Sequence, residues 1–546
     1  MPELTVTLPE TPGPLVRQAG EVLRRGLAER GVQTNQDCPL ELAVTPGIGT
    51  EGFRIHASAS GLRITGNDDR GLIYGVGKFL RHATAAAGRL TGCAWQGQSV
   101  PARPVRGMYF ATHFHNFYHD APLAEVVRYV EDLALWGCNA LSVWFDMHHY
   151  PGMDDPAAVA MAARLRAILE AAAAVGMSPA LTTLANEGFA STPAELKADW
   201  TAGHAGYFRA PAGHYHCEVC PHRPGGLELI LATRRQVLEA FRGIDLGFVW
   251  LWPYDQGGCT CAACAPWGTH GFLDTVEALL PLLRDHFPRA RTILSTWYFD
   301  HFVPGEWEGL SRRFAQGPMS GIDALMIDDF GGFPEYPLRH GIPGNLPVLG
   351  FPEISMEGNA PWGGFGAHPR PRHWSQYWAA VRHLLEGSFP YSEGLYEDVN
   401  KVLLLQFEWE PERAAEDILR EYARGEFGAP AASAVAEVLQ RLEQDGALAA
   451  RFGPDGPGFS AGPLDHAPEC LEKLDGLATA LPPAVLASWR WRLLWLRAAI
   501  TAELRQQGRT MTDRLDAYFE ELAAIYHADQ AEPAVRPPTR RAWRRG

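Results

Sequence analysis

Gly107-Met108-Tyr109-Phe110-Ala111-Thr112 reads as a strand that runs straight into His113-Phe114-His115-Asn116. A doubly wound open sheet would carry a glycine-rich phosphate loop after its first strand, and this histidine-rich stretch is nothing like one. From here the chain alternates strands and helices with unusual regularity. The strand candidates are Gly107–Thr112, Ala140–Phe145, Pro179–Leu184, Gly247–Trp252, Thr292–Trp297, Ala324–Ile327, Pro347–Phe351 and Phe389–Glu393. Amphipathic helices lie between most of them, the clearest being Leu123–Trp136, Ala158–Val175, Leu227–Phe241, Phe272–Phe287 and His373–Leu385. Eight strands with intervening helices over ~300 residues predict a (β/α)₈ TIM barrel, an α/β fold, across residues 101–410.

Outward from the barrel, residues 1–100 read as a small N-terminal α/β domain. A helix-like stretch from Leu15 to Leu27 precedes strand patterns at Glu41–Val44, Gly52–Ala57 and Leu62–Thr65. Asp69-Arg70-Gly71-Leu72-Ile73-Tyr74-Gly75 then opens a second helix after a polar turn. Past Pro411 the strand signal ends, and Glu416–Tyr422, Ser433–Gln444, Ala487–Gln507 and Thr512–Tyr526 read as a C-terminal helical domain over residues 411–546.

Length and composition agree with several packed domains. A chain of 546 residues predicts roughly two to four of them. Hydrophobic residues form 46% and charged residues 20%, ordinary for a globular protein. Asp and Glu number 63 against 48 Lys and Arg, a formal charge of −15. That balance disfavours a nucleic-acid partner, which would need a basic face to replace phosphate counterions. No stretch approaches the ~20 uninterrupted apolar residues of a membrane span, and the start Met1-Pro2-Glu3-Leu4 carries no basic, apolar leader. The expectation is a cytoplasmic protein with no membrane partner; whether it forms a homo-oligomer stays open. The 17 Trp, 16 Tyr, 25 Phe and 20 His supply core bulk and flat apolar platforms on which sugar rings stack.

In a TIM barrel the chemistry sits where strands end and βα loops begin. Those positions hold His113, His115 and Asn116; Trp144, Asp146, His148 and His149; Asn186 and Glu187; and Trp252-Pro253-Tyr254-Asp255-Gln256-Gly257-Gly258. They continue with Trp297-Tyr298-Phe299-Asp300, Asp328-Asp329, Glu353 and Glu357, and Tyr391-Ser392-Glu393. One carboxylate after one strand is most simply a helix cap or a solvated loop residue. A carboxylate, imidazole or aromatic at nearly every mouth calls for another explanation. Glycoside hydrolysis requires an acid to protonate the departing oxygen and a second carboxylate to activate water, attack, or stabilise the oxocarbenium-like transition state. Asp255, Asp328, Asp329 and Glu353 are the catalytic candidates. His113, Trp144, Asp146, Glu187, Trp252, Tyr254, Trp297, Tyr298 and Glu393 are the substrate-binding candidates.

Particular residues carry family resemblances. The 1–100 segment, with its helix opening on Gly71-Leu72-Ile73-Tyr74-Gly75, resembles the non-catalytic N-terminal domain of exo-acting glycosidases: β-N-acetylhexosaminidases, α-glucuronidases and α-N-acetylglucosaminidases. Ile327-Asp328-Asp329-Phe330, followed a strand later by Pro352-Glu353-Ile354, looks like the α-glucuronidase pattern in which an Asp and a Glu on neighbouring strands activate water. Tyr254-Asp255-Gln256-Gly257-Gly258 falls where such enzymes keep the general acid, and Glu397-Asp398-Val399-Asn400-Lys401 is similar to their last helix. Two departures stand out. The acid position reads Asp255-Gln256 instead of Glu, and the adjacent Asp-Glu pair of β-N-acetylhexosaminidases is missing from that strand. The Trp-rich mouth of Trp144, Trp252 and Trp297 suits an N-acetyl methyl, and Asp328-Asp329 offers an acid with an acetamide-orienting partner.

Cys217-x-x-Cys220 and Cys259-x-Cys261-x-x-Cys264 hold five of the nine cysteines. Paired two-residue gaps are typical of thiolate zinc sites, and loops after adjacent strands can meet. The expectation is one structural zinc on four of these thiolates, with disulfides or unligated thiols as the alternatives. A catalytic zinc is disfavoured, because four thiolates leave no position for water. The histidines His113, His115, His148, His149, His214 and His216 read as hydroxyl contacts more readily than as a second metal site. The expected activity is exo-acting hydrolysis of an oligosaccharide or glycoside, first as a β-N-acetylhexosaminidase and without a catalytic cofactor. An α-glucuronidase-like inverting hydrolase and a non-catalytic carbohydrate-binding barrel are the alternatives. A metal-dependent isomerase or amidohydrolase would want the His113-x-His115 pair, but the later carboxylates and tryptophans fit sugar better.

Overall fold

The computed structural model describes residues 6–32, 38–58, 61–113, 115–199, 217–254, 258–329, 332–355, 368–446, 448–453, 456–531 and 536–544. At its centre, parallel strands close on themselves: β1 (Val105–Phe110), β2 (Ala140–Trp144), β3 (Ser178–Leu184), β4 (Phe248–Trp252), β5 (Arg291–Ser295), β6 (Ala324–Asp329), β7 (Val348–Pro352) and β8 (Leu385–Ser388). The seam pairs Gly387 with Val105 and Ser388 with Arg106, and the short segment Tyr391–Ser392 continues the pairing against Tyr109 and Phe110. The closed barrel expected from the sequence is therefore present, and an open doubly wound sheet is excluded. Two glycines make the seam possible. A Cβ on Gly387, whose φ is +138°, would overlap the Val105 carbonyl, and one on Gly107 would overlap the Phe389 ring.

Helices follow each strand: α1 (Leu123–Leu135), α2 (Pro156–Ala174), α3 (Gly226–Ala240), α4 (Gly271–His286), α5 (Glu306–Ala315), α6 (Glu335–His340), α7 (Pro371–Val381) and α8 (Asp398–Trp409). Two expected boundaries move. The helix read over His373–Leu385 ends at Val381, and Leu385 already opens β8. The last strand is also interrupted between Ser388 and Tyr391, where Pro390 has no N–H to donate to the ladder and instead accepts from the Tyr109 N–H at 3.0 Å.

The N-terminal unit is a five-stranded sheet with helices Pro14–Glu29 and Asp69–His82. Asp68 caps the second helix by accepting from Gly71 N–H at 2.9 Å. This unit docks at the bottom of the barrel, where strands begin. Glu51 accepts from the buried guanidinium of Arg106, from Asn139 at 3.1 Å and from Arg70 at 2.9 Å. The C-terminal helices Ala415–Phe427, Ala432–Leu442, Trp489–Gln506 and Asp513–Tyr526 match the sequence reading. That region is not purely helical, however. Leu448–Gly453 pairs antiparallel with Gly456–Ala461, in a glycine-, alanine- and proline-rich stretch with no alternation of apolar residues to announce a strand. A further helix spans Ala467–Ala478. No described helix is long and apolar enough to cross a membrane.

Candidate active site

Strand parity decides which side chains reach the barrel interior, because partners directly across a parallel ladder share a face and residues two apart share it too. Tyr109 marks that face. Its ring lies 5.4 Å from Trp250, 5.7 Å from Trp252, 5.7 Å from Phe351 and 5.6 Å from Tyr391. Asp328 pairs with Phe351, so it shares the interior face, while Asp329 pairs with Pro352 and has the opposite parity. Glu353 lies two residues beyond Phe351 and bridges Tyr391, and Glu393 lies two beyond Tyr391. The ends of β6, β7 and β8 thus carry Asp328, Glu353 and Glu393 on the interior face, and all three are buried.

Glu393 is the most enclosed of them. Its Oε1 accepts from Tyr391 OH at 3.0 Å and its Oε2 from Tyr396 OH at 2.6 Å. Burial holds its carboxyl well above the usual carboxylate range, and the neighbouring Glu353 and Glu397 push the same way against the tyrosine bonds. The turn that presents it is tied down by Glu397, whose Oε1 accepts from the N–H of Glu393 at 2.8 Å and from Ser355 Oγ at 3.1 Å. Glu353 Oε1 accepts from Ser355 N–H at 3.0 Å. Asp329 is pushed up to about 6 by burial, with Arg370 acting in the opposite direction.

Across the mouth, β2 and β3 build a second acidic group. Glu187 accepts from Trp144 Nε1 at 3.1 Å and from His148 Nδ1 at 2.8 Å. Burial raises Glu187 to about 7 despite Arg234, and lowers His148 to about 3. The imidazole of that pair is therefore neutral. Asp146, fully buried, pairs with His149. His113 connects the two groups, with its ring 4.8 Å from Trp144 and 6.4 Å from Tyr391, and burial keeps it neutral.

The expected tryptophan trio separates. Trp252 and Trp297 meet at 5.7 Å and both flank Phe351, at 5.1 and 5.6 Å. Trp144 stands apart against Glu187. The buried Trp252 Nε1 finds no acceptor among the described residues. Tyr254, read as a sugar contact, instead gives its hydroxyl to Glu306, which also accepts from Gly268 N–H at 2.6 Å and Asp300 N–H at 3.1 Å. Tyr298 lies against Trp297 at 4.6 Å and holds a φ of +60°. His115, in the loop after β1, has φ +49°. Left-handed backbone at bulky residues is costly and clusters at functional sites. Asp255, Gln256, Glu357, Phe330, His214 and His216 lie outside the described residues.

Tyr396, Glu397, Ser355, Glu306 and Arg370 were missing from the sequence-derived site. The Tyr391-x-Glu393-x-x-Tyr396 spacing offers a signal for Tyr396, and Glu397 stands in the stretch already noted as similar to the last helix of such enzymes. Among the described residues, three groups bring potential metal-binding atoms within 4.8 Å of one another: Cys220 with Cys259, Cys261 and Cys264; Asp146 with His148 and His149; and His115 with His119 and Asp120. Cys217, counted with the other cysteines from sequence, is outside the first group.

No family model matches the chain, and no curated protein sequence does either. Solved structures do share its fold. A family GH115 4-O-methyl-α-glucuronidase with specificity for decorated arabinogalactans aligns over 99% of this chain and 78% of its own, at TM-score 0.58 and 13% identity. A GH138 enzyme targeting pectin rhamnogalacturonan II aligns over 96% and 73%, at TM-score 0.56 and 13% identity. The GH20 β-N-acetylhexosaminidase from Streptomyces coelicolor A3(2) aligns over 79% and 92%, at TM-score 0.54 and 13% identity. At this identity the likeness is one of fold.

Proposed function

We propose that the chain is an exo-acting glycoside hydrolase that binds its terminal sugar in the barrel mouth. The observation that carries this reading is the aromatic floor of Trp252, Trp297 and Phe351 beside the buried carboxylates Asp328, Glu353 and Glu393. A sugar on that floor buries its apolar face and offers its hydroxyls to the rim. The three fold relatives are all, by name, enzymes that act on glycans, which supports the class.

In this reading Asp328 and Glu353, on adjacent strands, act on the anomeric side. They position water, or an acetamido group acting in its place, as the oxocarbenium-like charge develops. Asp255 is assigned the acid from its sequence position after Tyr254. Glu393, which takes the Tyr391 and Tyr396 hydroxyls, shapes the sugar pocket, and neutral His113 and His148 add polar contacts. Asp329, of opposite parity, acts as a positioning residue through Arg370. The substrate class proposed first is a β-N-acetylhexosaminide, whose methyl fits the Trp252–Trp297–Phe351 corner. One observation favours a uronide as the second reading: the Arg370 cation acts on Asp329 at the rim of β6, and a uronate needs such a partner.

The test is release from 4-nitrophenyl N-acetyl-β-glucosaminide, its galacto epimer and an α-glucuronoside. Asp255→Ala, Asp328→Asn and Glu353→Gln are each expected to lower kcat/KM by ~10²–10⁴, the range of acid–base contributions. Unchanged rates in all three variants refute the assignment. Sugar binding by calorimetry with no turnover on any substrate makes the chain a binding barrel instead.

A further inference from the structure

We propose that Cys220, Cys259, Cys261 and Cys264 hold one structural zinc ion that clips the loop after β3 to the loop after β4. All four Sγ atoms lie within 4.8 Å of one another, and Cys220 Sγ is 3.8 Å from both Cys261 Sγ and Cys264 Sγ. Zinc bound to thiolates at about 2.3 Å in a tetrahedron places its sulfurs about 3.8 Å apart. The two spacings coincide. A disulfide would bring two of these sulfurs to about 2.05 Å, and all four cysteines are free thiols. An iron–sulfur cube binds each thiolate to a different iron and would spread the set further than this.

Independent contacts prepare the same residues for a metal. Asp199 N–H donates to Cys259 Sγ at 3.4 Å, the outer-shell bond that steadies a ligating thiolate. Cys220 N–H donates to Leu196 O at 2.9 Å, and Thr260 N–H to Asp199 O at 2.6 Å. Three irregular segments are thus stitched together around the sulfurs. Asn186, at the mouth of β3, adds a clamp: its Nδ2 donates to Val219 O and Gly258 O at 2.9 Å, and its Oδ1 accepts from Gly258 N–H at 2.8 Å. The ligands come from loops 41 residues apart in sequence, so closing them with a metal removes more unfolded-state freedom than a local turn would. Four thiolates fill the coordination shell, which makes the ion a brace for the β3–β4 side of the mouth and leaves no position for substrate.

The test uses the full chain purified without chelator or added metal. Elemental analysis is expected to find about one zinc per chain, released when the thiols are titrated with a mercurial. Cobalt(II) added to the demetallated protein is expected to give the thiolate-to-cobalt charge-transfer band of a tetrahedral tetrathiolate site. Cys220→Ser and Cys261→Ser are expected to lose the ion, whereas Cys217→Ser keeps it. A metal-free protein that takes up no cobalt overturns the proposal, and so does iron in place of zinc or loss of metal in Cys217→Ser. Should the ligand variants fail to fold, the cobalt titration of the wild-type chain still decides. None of these readouts depends on glycosidase activity, so failure here and failure of the hydrolase reading are separable.

Discussion

Replacing Glu187 with Gln tests how the mouth stores its acidity. Glu187 is buried, accepts from Trp144 and His148, and is raised from 4.5 to about 7. A carboxyl whose folded pKa lies above its unfolded value binds more protons when folded. Its contribution to stability is therefore complete below the unfolded value and is lost as pH rises toward the folded one. A tenfold change in proton affinity is worth about 1.4 kcal/mol. Wild type should accordingly lose roughly 3 kcal/mol relative to Glu187→Gln between about pH 4.5 and about pH 7. Gln keeps a carbonyl oxygen for the Trp144 and His148 donors, so the variant starts from nearly the same contacts. Urea denaturation of both proteins across that range, read by tryptophan fluorescence, gives the difference directly because all other titrating groups cancel. A difference that stays constant with pH would mean that Glu187 is ionised in the folded barrel, and would refute burial as the force that sets its protonation.

Arg490→Met should destabilise the chain by about 3–5 kcal/mol at neutral pH. It removes the cation shared by Asp398 at 2.9 Å, Asp132 at 3.0 Å and Glu426 at 3.5 Å, and leaves the buried Asp398 to the Tyr129 and Tyr422 hydroxyls. Asp398 lies below the usual carboxylate range, so that penalty should shrink as pH falls through its folded value, as chemical denaturation at descending pH will show. Gly387→Ala forces a Cβ into the Val105 carbonyl at the barrel seam and should cost about 3 kcal/mol or more, measurable as a lowered Tm or insoluble expression. Trp252→Phe keeps an aromatic ring beside Phe351 but trims the floor and its indole N–H. It should raise KM severalfold with a smaller effect on kcat, in steady-state assays on whichever glycoside the wild type hydrolyses.

The barrel was legible because its strands are buried on both faces and separated by helices of ordinary length, so periodicity changes sharply along the chain. The antiparallel pair at Leu448–Ala461 was hidden by the lack of alternation in a small-residue stretch. Strand-end positions for Asp328, Glu353 and Glu393 were also readable, since a barrel brings every strand end to one face. Partner choice was not. Tyr254 ends a strand like its neighbours, yet its hydroxyl is taken by Glu306 from another loop, and nothing local in the sequence encodes that meeting. Trp144 likewise reads as a third wall of an apolar box until its indole is found donating to Glu187.

The same parity that builds the core divides the adjacent acids Asp328 and Asp329. Consecutive residues of a strand point to opposite faces, so two neighbouring carboxylates at a strand end cannot both address one sugar carbon from the same ladder. Asp328 shares its face with Phe351 and, through Glu353, with Tyr391. Asp329 instead feels Arg370. An adjacent pair of this kind suits a division of labour, with one acid at the reaction centre and one holding a cation or an acetamido group beside it. The accessory regions brace the barrel from two sides. The N-terminal sheet grips the bottom of β1 and β2 through Glu51, and the C-terminal helices hold α8 through the Asp398–Arg490 pair. In the proposed reading a sugar meets strand ends all round the barrel, from His113 after β1 and His148 after β2 to Glu393 after β8. The C-terminal helices reach the same rim, where Tyr526 lies 5.2 Å from Tyr396.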